Sequence, residues 1–559
     1  MKTLKNSSFV YACLVLIFTL SISFNERFLN AQAKTLEVVQ LTPIKSNTRA
    51  LQFDLEQKEL DKDEQSVLFS NALALSRKGD TPQAIKLYQE LIQQQPNHQM
   101  AAINLVILLK KTQSGQHMET QMQHAINVSR GKRKAKAHSL FASCLNENKQ
   151  YTKALYHLDK SLEFRPNHAG TWLKRALIQQ KAQLPFTKVI QSYGQALAMD
   201  DKNIELRLDM ARYQQAHLDF DGSIKTIKDK YKSLKNSIAA HQILTWSYLE
   251  IDKINNAKKH ANLVTTLQNK ESAFNQALMN FLEGNTAQAL EKANLLKKKP
   301  EHHYLLAKIY QNKKWPNHSN TQLSKVLKTQ KNHQYDLRVA WLKLKLNLQL
   351  NNTHAKLDTQ GQIQALAQFL KQDIAHGYVA YEASKQAKSL KRFEDAKKFI
   401  DLAMGLGQNK LASRKKQKLF GEILWLNNQK AQAIDHLTKL SAEHPNSRST
   451  KRLLAKYLIK QQMPNQALTT LLSIKEQERN KKDLFNLASL QSQLNLPVEA
   501  IDNLTELLQR NESHIEARFL LAKLLLNSNQ KKMGKKHLTL LLKLDQHHVA
   551  AQKLYSQVI

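Results

Sequence analysis

The stretch GDTPQAIKLYQELIQQQPNH, residues 79–98, recurs in altered form as NKQYTKALYHLDKSLEFRPNH at residues 148–168. The two copies align with Ala84 on Ala154 and with Pro96 on Pro166, each pair 70 residues apart. That distance is close to two units of about 34 or 35 residues, and a fixed period of this size marks a repeat architecture.

A frame of about 34 residues fits the chain repeatedly from residue 66 onward. It has a small residue at position 8, a second small residue at position 20, a large apolar residue at position 24 and Pro or Asp near position 32. In the opening stretch, Ala84, Leu87, Tyr88, Leu91 and Ile92 lie at helical spacing. Each unit is therefore predicted to be an antiparallel hairpin of two helices, whose apolar face is covered only when units stack.

The small residues at positions 8 and 20 are predicted to let the two helices of a hairpin approach closely. The pairs are Ala72/Ala84, Ala142/Ala154, Ala176/Val189, Ala211/Ser223, Thr245/Ala257, Ala277/Ala289, Ala307/Ser319, Ser384/Ala396, Gly421/Ala433, Ala455/Ala467, Ala488/Ala500 and Ala522/Gly534.

This pattern resembles the tetratricopeptide repeat (TPR) family over nearly all of the chain after residue 65. The resemblance implies an all-α fold, an α-solenoid wound as a right-handed superhelix of about 14 hairpins. We predict an N-terminal array at 65–350, an irregular break at 351–374, and a C-terminal array at 375–559 that ends in a capping helix. Leu342 to Leu350 alternate with a period of two, but a lone strand would have no partner, so we expect a helix there.

Composition supports a helical, strongly basic protein. Only 13 Gly and 10 Pro occur in 559 residues, which leaves few turn points. Lys and Arg number 84 against 46 Asp and Glu, a net charge of +38. Residues 34–64 form a polar, slightly acidic linker, so the excess lies in the repeats. Because Lys predominates, the charge fits either a solvated surface or attraction to an anionic partner.

The N-terminus has the layout of an export signal. Lys2 and Lys5 precede an apolar run from Phe9 to Phe24, and Ala31–Ala33 offers a cleavage site. We expect residues 1–33 to be a signal peptide cleaved after Ala33 or, as the alternative, an uncleaved N-terminal anchor. The protein is then exported and periplasmic, soluble or tethered to the inner membrane. Removal of the signal, which contains Cys13, would leave Cys144 as the single remaining cysteine, and one cysteine cannot form an intrachain disulfide.

No catalytic or metal-binding motif is recognisable in the sequence, so we predict a non-enzymatic protein without cofactor or metal. The 21 His are scattered. Adjacent pairs such as His302 with His303 and His547 with His548 point to different sides of a helix and make poor joint ligands.

The TPR resemblance implies a ligand groove lined by positions 2, 5, 9 and 12 or 13 of each first helix. In the C-terminal array these positions are basic and aromatic, and the candidate groove residues are Tyr381, Lys385, Lys388, Lys415, Lys418, Trp425, Arg452, Lys456, Lys460, Lys482, Phe485 and Lys523. The N-terminal positions are more apolar and favour protein docking: Phe69, Leu73, Ile103, Leu173, Leu177, Trp246, Phe274 and Phe281. Lys456 stands where a carboxylate-clamp TPR needs Asn, so we do not expect capture of a peptide C-terminus.

Two functions remain open at this point. The chain is similar to long exported bacterial TPR proteins, which implies a scaffold that docks envelope proteins of a larger assembly, of the polysaccharide synthesis and export or secretion kind. The alternative is direct binding of an anionic polysaccharide or membrane surface by the basic groove. Nucleic acid fits the charge but is not expected as a partner of an exported chain.

Overall fold

The computed structural model describes residues 67–112, 118–268, 272–296, 299–330, 335–350, 358–372, 374, 376–405 and 414–558. The predicted signal or anchor (1–33) and linker (34–64) lie outside these residues. The described residues contain thirty α-helices, a single short 3-10 helix at Glu476–Glu478 and no strand. Within them, no helix is long and apolar enough to cross a bilayer.

The chain divides into two compact units. Unit 1 comprises Met1–Ala216 with Gly222–Lys343, and unit 2 comprises His217–Asp221 with Leu344–Ile559. The helices up to the division are α1 Val67–Lys78, α2 Thr81–Gln94, α3 Gln99–Lys111, α4 Met118–Val128, α5 Gly131–Glu147, α6 Tyr151–Phe164, α7 Ala169–Lys181, α8 Phe186–Met199, α9 Ile204–Ala216, α10 Phe220–Lys228, α11 Tyr231–Leu234, α12 Ile238–Glu250, α13 Ile254–Gln268, α14 Ala273–Glu283, α15 Thr286–Asn294, α16 Pro300–Asn312 and α17 Pro316–Thr329.

The division between the units falls inside α18, Asp336–Leu350. The helices that follow are α19 Thr359–Phe369, α20 His376–Ser389, α21 Phe393–Met404, α22 Arg414–Leu426, α23 Lys430–Glu443, α24 Arg448–Lys460, α25 Pro464–Leu472, α26 Lys481–Gln493, α27 Pro497–Arg510, α28 Ile515–Asn527, α29 Lys531–Leu544 and α30 Val549–Ser556.

Within each unit, consecutive helices pack in pairs, and most pairs pack on the next. The closest pairs are α1/α2, α3/α4, α5/α6, α7/α8, α12/α13, α14/α15, α16/α17, α20/α21, α22/α23, α24/α25, α26/α27 and α28/α29. In the pair α9/α10, Thr226 donates to Gln214 and its carbonyl accepts from Arg207. Contacts between neighbours in sequence are what an α-solenoid requires, so the predicted all-α solenoid fold is confirmed.

Two local expectations have definite outcomes. The alternating segment Leu342–Leu350 is helical, as expected, because it belongs to α18. The segment 351–374, where we expected an irregular break, contains α19, although residues 351–357 lie outside the described part of the chain. The C-terminal α30 packs on α29 through Ala551, Leu554 and Tyr555.

The small residues at positions 8 and 20 lie where the two helices of a hairpin meet. All twenty-four are buried. The need for a small residue is most direct at the two glycines, because a Cβ on Gly421 would lie 2.8 Å from Cγ of Leu437, and one on Gly534 would lie 2.7 Å from Cγ of Leu526. Close backbone approach therefore sets the side-chain size at these positions.

The turn inside each hairpin needs a left-handed residue. Gly79 and Gly284 fill this position with φ of 90° and 87°, but ten non-glycine residues adopt it as well. They are Lys149, Gln183, Leu218, Asp252, Lys314, Lys391, Asn428, Gln462, Asn495 and Asn529. The next amide closes the turn onto the preceding helix, as where Gln150 N donates to the Leu145 carbonyl at 2.8 Å. The scarcity of glycine thus reflects turns that use Lys, Gln and Asn at a cost of about 1–2 kcal/mol each.

Alanine at Gly421 and at Gly194 should shift stability in opposite directions. Gly421→Ala forces Leu437 to move and should lower the free energy of unfolding by about 1–3 kcal/mol. Gly194 lies inside α8 and a Cβ there would meet nothing within 4 Å, so Gly194→Ala should raise it by about 0.5–1 kcal/mol. Denaturant midpoints followed by circular dichroism measure both, and equal gains in the two variants would show that the contact at Gly421 is not tight.

Candidate functional site

All twelve candidate groove residues lie on first helices of unit 2. The helices α20, α22, α24, α26 and α28 carry them in that order. Six of the lysines are exposed, Lys385 among them. The other five exposed lysines are joined by the half-buried Lys418 in a set of six: Lys415, Lys418, Lys456, Lys460, Lys482 and Lys523. We call these six residues the lysine set.

Arg452 is an anchor between neighbouring hairpins. Its Nε lies 2.9 Å from both carboxylate oxygens of Asp483, and its Nη2 donates to the Glu478 carbonyl at 3.1 Å. Asp483 is buried and also closes a capping box with Asn480 at the start of α26. The hydrogen bond to this carboxylate raises the pKa of Arg452. The guanidinium is therefore committed to holding α24 against the start of α26.

Two of the predicted lysines are paired with carboxylates. Lys388 on α20 lies 3.0 Å from Glu422 on α22, and Lys385 lies 3.0 Å from Glu382 one turn earlier in α20. Lys385 also lies 5.5 Å above the Tyr381 ring, which is half-buried. Both candidate lysines on α20 therefore have a carboxylate that balances their charge.

The aromatic candidates stack on residues of the next hairpin. Trp425 lies parallel to Tyr457 with ring centroids 4.1 Å apart, and Phe485 stacks on His514 at 5.1 Å. Burial raises the pKa of Tyr457. One face of each half-buried ring is thus used inside the array, which leaves only part of its surface for a ligand.

The lysine set is the part of the face without a carboxylate partner. Within the described part of unit 2, no ion pair shorter than 4.0 Å joins any of the six to Asp or Glu. Lys456 and Lys460 are one helical turn apart on α24, on the side that also carries Arg452. Arg414, Arg448 and Arg452 line a depression of about 370 Å³ beside the start of α24, together with Asn446, Ser447 and Ser449. The first helices of unit 2 therefore carry the ammonium groups of the lysine set next to a depression lined by three arginines.

In unit 1 most of the corresponding positions are covered by the protein itself, although Leu177 is exposed. Phe69, Leu73 and Ile103 are core residues, buried by their own and neighbouring hairpins. Trp246 and Phe274 are half-buried and pack on each other with centroids 6.5 Å apart. The more apolar composition that favoured protein docking here therefore reflects internal packing in large part, because these side chains contact their own chain.

Unit 1 contains a buried polar cluster that the sequence analysis did not predict. Glu250 on α12 accepts from Tyr304 Oη at 2.7 Å, Lys308 Nζ at 2.9 Å and Arg338 Nη2 at 3.0 Å. All four residues are buried, and burial together with the Glu250 charge raises the pKa of Tyr304. The cluster joins α12, α16 and α18. The sequence signal for it is the presence of polar residues on the first helices of three separate repeats.

The structure offers little for chemistry at a metal or a thiol. No group of three potential metal ligands occurs among the described residues. Cys144 is buried in α5, and burial raises the pKa of its thiol to about 11. A thiol in this state is a packing residue and a poor nucleophile.

A family model supports the resemblance seen in the sequence. The model, described as tetratricopeptide repeat, matches residues 67–98. This segment matches the TPR family. It corresponds to the first hairpin, α1/α2, with the turn that follows it. An array of TPR-like hairpins suggests a scaffold that binds peptides or other proteins, and such scaffolds are generally non-enzymatic. No curated protein sequence matches the chain.

Several solved structures are similar to the chain at low identity. The APC/C hetero-tetramer Cut9–Hcn1 is 12% identical with a TM-score of 0.39, over 89% of this chain and 97% of that chain. Yeast Tom70 is 12% identical with a TM-score of 0.32, over 77% and 96%. YrrB, described as a TPR protein with an unusual peptide-binding site, is 14% identical with a TM-score of 0.31, over 35% and 99%.

Arg452→Ala and Lys456→Ala should separate anchoring from free charge on one helix. Arg452→Ala leaves the buried Asp483 carboxylate without its guanidinium and should lower the free energy of unfolding by about 2–4 kcal/mol. Lys456 is exposed, has no carboxylate partner among the described residues and lies 6.0 Å from the Tyr457 ring centroid, so Lys456→Ala should change the free energy of unfolding by less than about 0.5 kcal/mol. Urea midpoints of the two variants provide the comparison, and a small, equal effect would mean that Arg452 is not an anchor.

Proposed function

We propose that the chain is an exported, non-enzymatic scaffold that binds acidic segments of envelope proteins through unit 2. The binding surface is the side of the first helices that carries the lysine set, which we call the lysine-rich face. One observation carries this proposal: the lysine set lies on successive first helices without a carboxylate partner in the described part of unit 2. Neighbouring cations on the same helices, Arg452 and Lys388, already have such partners. Unpaired cations on a repeated surface attract an anionic chain that runs across the repeats.

The repeats supply the geometry for an extended partner. Packed helices lie about 8–10 Å apart, and an extended peptide advances about 3.3 Å per residue. A carboxylate at roughly every third residue would therefore meet successive first helices. The partly exposed rings of Trp425 and Phe485 add apolar contact beside the ammonium groups.

The cellular setting of this proposal comes from the N-terminal sequence. The basic start, apolar run and small residues of 1–33 support export to the envelope, with or without cleavage. A place in a polysaccharide synthesis and export or secretion assembly is the part of the proposal that rests on the sequence resemblance alone.

A second candidate ligand is an anionic polysaccharide or lipid surface. The observation that favours it is the identity of the six free cations, which are all Lys. A flexible ammonium group attracts a diffuse anionic surface without the paired geometry of Arg. The lysine set would then hold that surface by electrostatic attraction.

Charge reversal on the lysine-rich face should abolish anion binding. K418E/K456E/K460E should weaken binding of a fluorescent poly-glutamate peptide at least about tenfold and remove most of its salt dependence. The control K531E/K532E/K543E changes the net charge equally on the exposed side of α29, and should stay within about twofold of the wild type. Fluorescence anisotropy across a salt series measures both, and unchanged binding in the first variant would exclude this face as the site.

Photo-crosslinking in cells should identify the partner class. A photoreactive residue at position 456 should trap envelope proteins, whereas the same residue at position 531 should not. Capture of acidic glycan or lipid at 456 in place of protein would favour the second candidate. Equal patterns at both positions would contradict a role for the lysine-rich face.

Fusion of residues 1–33 to alkaline phosphatase, which is active only after export, should give periplasmic activity in bacteria. Deletion of Phe9–Phe24 should abolish that activity, because the apolar run is the feature that export requires. Full activity after the deletion would argue against export by this segment.

A further inference from the structure

One interhelical contact recurs at the same two positions of the repeat. Residues at positions 4 and 23, nineteen apart, face each other across five hairpins. The pairs are His138–His157, His241–His260, His303–Gln322, Gln417–His436 and Arg518–His537. Two of the five, both in unit 1, bring together two imidazoles.

The pair His241–His260 has room for one proton between its two facing Nδ1 atoms. Their Nδ1 atoms are 2.9 Å apart, and His241 Nε2 lies 2.9 Å from the Lys235 carbonyl oxygen. His241 therefore donates from Nε2 to that carbonyl and accepts at Nδ1, and His260 donates from its own Nδ1. Both side chains are buried, with the His260 ring stacked on Tyr248 at 5.6 Å.

The pair His138–His157 has the same arrangement, again with 2.9 Å between the Nδ1 atoms. His138 is buried and His157 is half-buried, with Phe141 4.4 Å from the His157 ring and Phe164 stacked on His138. A neutral pair satisfies one donor and one acceptor. Two imidazolium rings would place two N–H groups and two charges face to face.

The charges around both pairs are mainly positive. Lys134 and Lys160 act on His138, where Glu163 is the one opposing carboxylate, and Lys228 and Lys259 act on His260. The positive charge of lysines in the same hairpin therefore opposes protonation of either ring, and at His260 Lys228 of α10 opposes it as well.

We propose that these two histidine pairs are acid-sensitive latches, which join the helices of α5/α6 and α12/α13 while the facing Nδ1 atoms share one proton and release them when acidification adds a second. The matching positions of α16/α17 hold His303 with the non-titrating Gln322, so that hairpin lacks an imidazole pair.

The direction of the pH effect follows from the folded and unfolded pKa values. Burial, with the partner histidine next in importance, lowers the pKa of His138 to about 4 and that of His260 to about 4. The unfolded chain titrates near about 6.5, so it binds protons first as the pH falls. Stability contributed by the neutral rings is complete above about pH 6.5 and is lost progressively towards pH 4. At about pH 5, one such group changes the opening equilibrium by about thirtyfold.

The test uses Cys144 as a probe of its own hairpin. Cys144 is buried in α5, the helix that carries His138, so its labelling rate reports how often α5 leaves its packed position. The full-length chain is treated with 4,4′-dithiodipyridine, which remains reactive in acid, at about pH 7.5 and about pH 5, and the labelled Cys144 peptide is quantified by mass spectrometry. Comparison with a variant at each pH cancels the effect of pH on the thiol itself.

H157Q copies the His303–Gln322 pair and keeps a hydrogen-bonding partner for His138. The labelling rate of the wild type relative to H157Q should rise at least about threefold between pH 7.5 and pH 5, because in H157Q residue 157 no longer titrates and no longer opposes protonation of His138. H260Q alters the distant latch and should leave Cys144 labelling at the wild-type rate at both pH values. A constant ratio of wild type to H157Q would overturn the proposal.

Poor folding of H157Q would show as fast labelling at pH 7.5. H138Q, which places glutamine on the first helix of the same hairpin, then takes its place. The criterion is unchanged: a rise in the relative wild-type rate on acidification supports the latch, and its absence overturns it.

Discussion

Two helices that touch at small side chains are the contact on which the rest of this protein depends. At Gly421 and Gly534 the space available is smaller than one methyl group, and the twenty-two other residues at these positions are buried as well. Close approach within the hairpin exposes a continuous apolar face, and only the next hairpin can cover it. The order of the hairpins, the positions of their turns and the surface left to the first helices all follow from that contact.

The first helices also organise the charge, in two ways. In unit 1, Glu250 gathers Tyr304, Lys308 and Arg338 into a buried cluster, where each charge has a partner at hydrogen-bond distance. In unit 2, Arg452 and Lys388 are paired, but the lysine set, exposed except for the half-buried Lys418, has no carboxylate partner among the described residues. Buried ionic groups need such partners because desolvation is costly, whereas exposed ammonium groups are solvated and remain available to a ligand.

The turns and the contact at positions 4 and 23 show where the repeat tolerates variation. Ten turns adopt a left-handed conformation with residues other than glycine, because the closing backbone hydrogen bonds and the packing of the hairpin outweigh a local cost of about 1–2 kcal/mol. Between the helices, the same spacing of nineteen residues accommodates imidazole with imidazole, with an amide or with a guanidinium. Stability is shared among many such contacts, so individual hairpins can respond differently to pH.

The sequence by itself determined the helical hairpin, its period and the small residues at its centre, because these depend on spacing that is local along the chain. It also assigned the twelve candidate groove residues to first helices of the repeat, since position within the repeat decides which helix a residue belongs to. Only the tertiary structure decided which of those cations are free: Arg452 meets Asp483 thirty-one residues later, and Arg338 meets Glu250 eighty-eight residues earlier. Such pairings, like those of the histidines, depend on how neighbouring helices face each other, and side-chain direction in space is not written in the order of residues.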